Sequence, residues 1–448
     1  MSLKEIYSKL VEERVNSKPT FNILLVTDNA SRLSVLRGSN AFDEFKNFYG
    51  NIANIQVVTM ASNSFINMNI DISLFNVLWI DNIANQEFNS KVIEYMKSIL
   101  DKNIPTWKSD FELLTSEDDK HEYSDYLNKI RSIYLRVIYA LDEYVWEGVG
   151  GRAKTVGNVS SIETCIENSD TVIVPNGELS AAIKDLGFVS KDKETLIIPT
   201  FASDIFYPIN KIQSKCGFSV NINKPKILIK GTIIPQHVQE FIIKTYNKFD
   251  ITISSIGELD EHIMGLIQNK KIKNIQHWSN PYVNSRNILK TMAIERDVGF
   301  DFTLLTLPND IDIYNLTTTD TDAVISIASG SLTFAEVDDA GYKENEHICL
   351  LAKTTFGRNT TAKELETLIT KWSVCANWDS AFQSQRKLLS ARLISSPVIL
   401  AGYFSAMLGR DVALSRHEKY TESDKETAAV VSDTNVDAEP TNIIKFNK

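Results

Sequence analysis

Several features are scarce in this chain, and each scarcity excludes something. Only four cysteines, Cys165, Cys216, Cys349 and Cys375, occur in 448 residues. No two stand in a C-x-x-C pair, so the common structural zinc motifs are excluded and reduced thiols in a cytosolic compartment are expected. The six histidines show no metal-ligand spacing. No apolar run approaches the roughly 18–20 residues of a membrane span. The opening residues, MSLKEIYSKLVEERV, are charged throughout and lack an apolar signal core, so a soluble, cytoplasmic protein is expected. No G-x-G-x-x-G occurs, which removes the dinucleotide-binding fingerprint. Positive charge is in deficit: 47 Lys and Arg stand against 57 Asp and Glu, a formal net charge of -10. That balance argues against broad nucleic-acid binding.

What is present is enough for a sizeable core. Hydrophobic residues make up 43% of the chain and charged residues 23%, and the length suits two or three domains. Residues 3–15 read as an amphipathic helix with Leu3, Ile6, Leu10 and Val11 on one face. Short apolar runs follow: FNILLVT (21–27), NIQVVTM (54–60), NVLWID (76–81), VIYAL (137–141), TVIVP (171–175) and TLIIP (195–199). Helical patterns at 86–101, 123–133, SIETCIENSD and GELSAAIKDLG separate several of them, and 109–125 reads as an exposed excursion. Strand alternating with helix is the pattern of a parallel sheet covered by helices. Residues 211–225 read as a polar linker, after which the alternation restarts. KILIK (226–230), DITISS (250–255), NIQHW (274–278), DVGFDFTLLTL (297–307), SLTFAEV and HICLLAK read as strands. Helices are expected at 236–247, 258–269, 281–293, 317–329, 361–373 and 377–394, and Pro397 opens a last one, VILAGYFSAML. From about Ser415 the chain turns polar and reads as a disordered tail.

Two stretches resemble a known family. Ile198-Pro199-Thr200-Phe201-Ala202-Ser203-Asp204-Ile205-Phe206-Tyr207-Pro208 resembles the I-P-N-G-V-D-x-x-x-F-x-P that ends the first domain of nucleotide-sugar glycosyltransferases with the GT-B fold. Thr200-Phe201 replaces Asn-Gly. Asp301 to Asn315 resembles the family's D-I-x-L-x-P-L-x-D-x-x-F-N, and Gly330-Ser331-Leu332-Thr333-Phe334-Ala335 echoes a later glycine motif. The resemblance implies an α/β chain of two Rossmann-like domains facing across a cleft. It divides the chain into an acceptor-side domain (1–208), a linker (209–225), a donor-side domain (226–394), a C-terminal helix crossing back to the first domain (395–414), and the tail (415–448). It implies transfer of a sugar from a UDP-, GDP- or ADP-sugar to an unidentified acceptor, with no cofactor or metal required. The alternative is an inactive binding or structural protein on the same fold. The matched strand-end residues and the intact first-domain pattern favour the enzyme, which is the reading expected; the departures favour the alternative. In LTTTDTDAVISIASG (316–330) there is no lysine for a diphosphate, Ile325 stands about where the family has a ribose-binding glutamate, and Asp320 and Asp322 would repel phosphate.

Candidate site residues follow from position and chemistry. Asp142 and Glu143 end the VIYAL stretch, where a carboxylate orients an acceptor hydroxyl or acts as a base; the alternative is a loop of solvated acids. Lys230, with Gly231, ends the second domain's first strand, where a cation would stabilise a departing diphosphate; the alternative is a surface lysine. His237 opens the next helix and would meet phosphate together with the helix amides, or would simply be a helix-start histidine. Asn309 and Asp310 lie in a loop expected beside the cleft, and both are also common turn formers. Arg37 and Gly38 follow the first strand, where they would meet a phosphate or an acceptor, or form a solvated loop.

Overall fold

The computed structural model of the chain describes residues 2–27, 41–81, 83, 85–141, 159–185, 187, 189, 193–202, 221–231, 233–255, 257–269, 271–279, 288–306, 321–337, 354–393 and 395–419. Within them lie two separate six-stranded sheets, each flanked by helices. The first comprises β1 (Thr20–Thr27), β2 (Asn54–Met60), β3 (Val77–Asp81), β4 (Arg136–Ala140), β5 (Thr171–Val174) and β6 (Glu194–Ile197), in the order β2-β1-β3-β4-β5-β6. The second comprises β7 (Lys226–Lys230), β8 (Asp250–Ser255), β9 (Ile275–Ser279), β10 (Phe302–Leu305), β11 (Leu332–Val337) and β12 (Thr355–Gly357), in the order β12-β11-β10-β7-β8-β9. Pairings are parallel in both sheets. This is an α/β chain of two Rossmann-like sheets, consistent with a two-domain GT-B fold.

The continuous apolar strands are explained by burial on both faces. Along the first sheet alternate residues go to opposite sides. Leu24, Val26, Leu78, Ile80, Val137 and Tyr139 pack with Phe88, Val92 and Ile99 of helix Gln86–Asn103. Ile23, Leu25, Trp79, Ile138 and Ala140 pack with Tyr403, Ala406 and Met407 of helix Pro397–Leu408. Trp79 and Tyr403 stack with centroids 5.1 Å apart and an interplanar angle of 6°. In the second sheet Ile227, Ile229, Ile251, Ile253, Phe302 and Leu304 share a core with Val238, Phe241 and Ile242 of helix Gln236–Thr245.

Each sheet has one place where the chain reverses its direction of growth. In the first it lies between β1 and β3, in the second between β7 and β10. Connections leave such neighbours in opposite directions and open a crevice at their carboxyl ends, where doubly wound sheets bind ligands.

Several expectations need correction. The excursion at 109–125 is helical, in Trp107–Glu112 and Glu117–Tyr134. Ser116 accepts from the Asp119 amide, and Glu117, Asp118 and Asp119 place negative charge on the first turn, so this polar run favours a helix start. The strand expected at 297–307 shrinks to β10, because helix Ile288–Val298 runs to Val298 and Gly299, with φ +68°, ends it. Helices Ala41–Tyr49 and Ser62–Asn67 were not expected. The tail does not begin at 415: residues 410–419 are helical, and Arg416 donates to the carbonyls of Arg14 and Ser17. Those carbonyls lie at the C-terminal end of helix Leu3–Asn16, where a guanidinium is favoured. Cys375 is disulfide-bonded and Cys165 is a free, buried thiol, so the expectation of reduced thiols throughout is corrected. HICLLAK and residues 420–448 lie outside the described residues.

Candidate functional site

The carboxyl edge of the second sheet is where most of the described candidates gather. Lys230 is the last residue of β7. Its neighbours Ile227 and Ile229 face the helix Gln236–Thr245 core, so alternation sends Lys230 to the opposite face. There its Nζ stands 2.6 Å from Glu295 Oε1, on helix Ile288–Val298, and donates to Ser326 Oγ at 3.0 Å, on helix Thr321–Ala328. Asp322 Oδ1 is 3.9 Å away. Lys230 is 1% exposed and Glu295 2%, so this is an interior ion pair and not a surface lysine.

At Gly231 any side chain would require its neighbours to move. A Cβ there would lie 1.9 Å from Thr306 Oγ1. Its amide donates to the Ser254 carbonyl at 3.2 Å, and Thr306 Oγ1 is within hydrogen-bond reach of the Lys230 and Ile233 carbonyls, at 3.1 and 3.2 Å. The ends of β7, β8 and β10 are thereby knitted together at the crevice.

His237 lies in the first turn of helix Gln236–Thr245, whose N-cap, Pro235, supplies no side-chain cap. Its Nε2 is 3.6 Å from Oε1 of Glu336, a fully enclosed carboxylate near the end of β11. Burial holds the imidazole below its ordinary pKa; the nearby Arg358 charge adds to that, and Glu240 opposes it. Burial therefore favours the neutral ring, in which one nitrogen donates and the other accepts.

In the first sheet the crevice lies between Thr27 and Asp81, the last residues of β1 and β3. Both are buried, and Thr27 Oγ1 donates to Asp81 Oδ2 at 3.4 Å. Asp142, Glu143, Arg37, Gly38, Asn309 and Asp310 lie outside the described residues. Ile325 is a core residue, packed among Val324, Ile327 and Leu332.

Sequence reasoning missed Asp81, Glu295 and Glu336. Asp81 and Glu336 each carried a signal: an acid at or next to the last position of a mostly apolar strand, at the sheet end where ligands bind. Glu295 carried none, since only the fold brings its helix over Lys230. Among the described residues, no group of three or more His, Cys, Asp or Glu side chains is arranged to hold a metal ion. Among them, too, no single helix is long and apolar enough to cross a membrane. A bent pair, Pro397–Leu408 with 410–419, passes that test by length and composition, but Tyr403 and Ala406 of the first helix are buried in the first sheet's core.

No protein-family model matches the chain, and no curated protein does. Among solved structures, a glycosyltransferase from Rickettsia africae ESF-5 is similar over 87% of this chain and 98% of that one, with 14% identity and a TM-score of 0.47. A sucrose-phosphate synthase from Thermosynechococcus elongatus is similar over 91% and 100%, with 10% identity and a TM-score of 0.45. Anabaena HepE, solved in complex with UDP and glucose, is similar over 86% and 98%, with 11% identity and a TM-score of 0.45. Likenesses at this level concern the arrangement of the chain and carry no argument about chemistry.

Proposed function

We propose that this chain is a glycosyltransferase that moves a sugar from a nucleotide-sugar donor to an acceptor hydroxyl. The observation that carries the reading is the pair of reversal points, each ending in buried polar side chains: Thr27 and Asp81 in the first sheet, Lys230 and Glu295 in the second. Two doubly wound sheets offer two crevices, and a transferase needs two substrates. The donor lies at the carboxyl edge of the second sheet. The uncapped amides of helix Gln236–Thr245, with His237, face its diphosphate, and Lys230 lies beneath. The acceptor lies over the first sheet, where Asp81 is one carboxylate for orienting a hydroxyl; Asp142 and Glu143, which follow β4 in sequence, are assigned the same role. Catalysis is positional and electrostatic, and the division of roles follows the boundaries 1–208 and 226–394.

A second reading, a binding or structural protein that has kept this fold without its chemistry, is favoured by one observation. Lys230 is matched by Glu295 and Ser326, and the Gly231 amide by the Ser254 carbonyl, all within the protein. A melting screen separates the two. A ligand that binds only the folded state must raise the melting temperature, by an amount that grows with its concentration over Kd. The transferase reading expects one of UDP-, GDP- or ADP-sugars to do so at millimolar concentration. No shift with any of them sustains the second reading.

A further inference from the structure

One sheet edge lacks the features that keep an edge from pairing. β2 is the longest of the four edge strands: seven residues, against four in β6, five in β9 and three in β12. Shortness, charges, prolines and bulges are what protect an edge. β2 has none of them. Asn54–Met60 contains no charged residue and no proline, and its register with β1 runs unbroken from Asn54 to Met60. Parallel strands are ordinarily covered on both faces, yet here Asn54, Gln56, Val58 and Thr59 are exposed. Val58 is 45% exposed, and Ile52, just before the strand, 53%.

The hydrogen-bond phase shows which groups face outward. Asn54 donates its amide to the Pro19 carbonyl at 2.8 Å, so its backbone groups face β1. In a parallel ladder these alternate along the strand, so Gln56, Val58 and Met60 face β1 as well. Ile55, Val57 and Thr59 turn their amides and carbonyls away from the sheet. Among the described residues no strand lies beyond them.

We propose that β2 is a self-association surface: two copies of this chain pair antiparallel along β2, about a two-fold axis through Val57, and join their first sheets into one. A second copy has the matching chemistry. The three outward residues are spaced evenly about Val57. A two-fold rotation therefore sets Val57 against Val57 and Ile55 against Thr59, and each pair exchanges both backbone bonds. Gln56 of one copy then stands opposite Val58 of the other in the closer, non-hydrogen-bonded pair, which covers the exposed valine. Charge points the same way. Each copy carries a formal net charge of -10, so two copies approach best along a strip that carries none. A cationic partner would gain nothing from that strip.

Sedimentation velocity of the full chain over a wide concentration series tests this, together with hydrogen exchange read by mass spectrometry. Wild type should show a species of twice the chain mass that dissociates on dilution, and the β2 amides should exchange faster as it does. Val58→Lys should weaken association by about tenfold or more, because it brings two like charges within reach across the axis and each lost contact counts twice. Adding Gln56→Glu to Val58→Lys should restore association, because the new carboxylate of one copy then stands opposite the new ammonium of the other. Wild type that stays monomeric at every concentration overturns the proposal. So does a dimer that Val58→Lys leaves intact, which places the interface elsewhere, or one that the added Gln56→Glu does not restore, which rules out the antiparallel register. If the variants do not fold, exchange in wild type decides alone: β2 amides that exchange equally fast at all concentrations overturn the proposal.

Discussion

Arg136 donates through Nε to the carbonyl of Ala406 at 2.6 Å, joining residues 270 apart in sequence. The same guanidinium donates to Thr171 Oγ1 at 2.6 Å and pairs with Glu194. One buried side chain therefore ties the first residues of β4, β5 and β6 to the last turn of helix Pro397–Leu408. That helix follows the second sheet in sequence and packs on the first, so the arginine holds the chain's return crossing in place.

Gly409, immediately after that helix, is predicted to tolerate no side chain. Its φ is +82° and its ψ 154°, a region that only glycine occupies readily, and a Cβ would stand 2.5 Å from Arg136 Nη1. Gly409→Ala should cost about 1–3 kcal/mol from backbone strain, with the displaced guanidinium adding to it. Urea unfolding measures this directly. An unchanged midpoint would mean that the arginine is not fixed under the turn.

Arg416 is predicted to matter for stability although it stands where the sequence turns polar. It is buried and donates to the carbonyls of Arg14, at 2.6 Å, and Ser17. Tyr7 OH, from the same N-terminal helix, donates to Asp411 at 2.5 Å, so two contacts latch residues 410–419 onto that helix. Arg416→Ala should lower stability by about 1.5–3 kcal/mol, the range for hydrogen bonds made by a charged group. A variant as stable as wild type would show that the latch is incidental.

His237 is predicted to make stability depend on pH in one direction. Burial lowers its folded pKa below the unfolded value. The unfolded chain then binds the proton more readily, so the histidine's contribution is intact above about pH 6.5 and is lost as pH falls through the folded pKa. In urea unfolding at a series of pH values, His237→Gln should remove this part of the acid sensitivity. An imidazole that titrates above its ordinary range by NMR would reverse the sign and show that the Glu336 carboxylate outweighs burial.

The strands were the most legible part of the chain, because a parallel strand buried on both faces leaves an uninterrupted apolar run. VIYAL, TVIVP and KILIK each fall on a strand. The separation into two sheets was legible for the same reason: the runs stop before 211 and resume at 226. Helices whose stabilisation is tertiary were harder. Ala41–Tyr49 buries Phe42 and Phe45 against Trp79 and Tyr403, partners that appear only after folding. The candidate site shows the same division. Lys230 announced itself as a cation ending an apolar strand. Its partner Glu295 sits in a helix whose charged pattern resembles any solvent-facing one. A buried ion pair is specified by two distant positions together, and neither is unusual alone.

The central claim is sugar transfer, and the release of nucleoside diphosphate measures it most directly. Purified full-length protein is incubated with each of UDP-, GDP- and ADP-sugars, and free nucleoside diphosphate is quantified over time against a heat-denatured control. The account predicts steady release from one of the three, by slow transfer to water without an acceptor. It also predicts that the releasing donor is the one that raises the melting temperature. Folded protein that releases no diphosphate from any donor, and whose melting temperature none of them raises, would contradict the account.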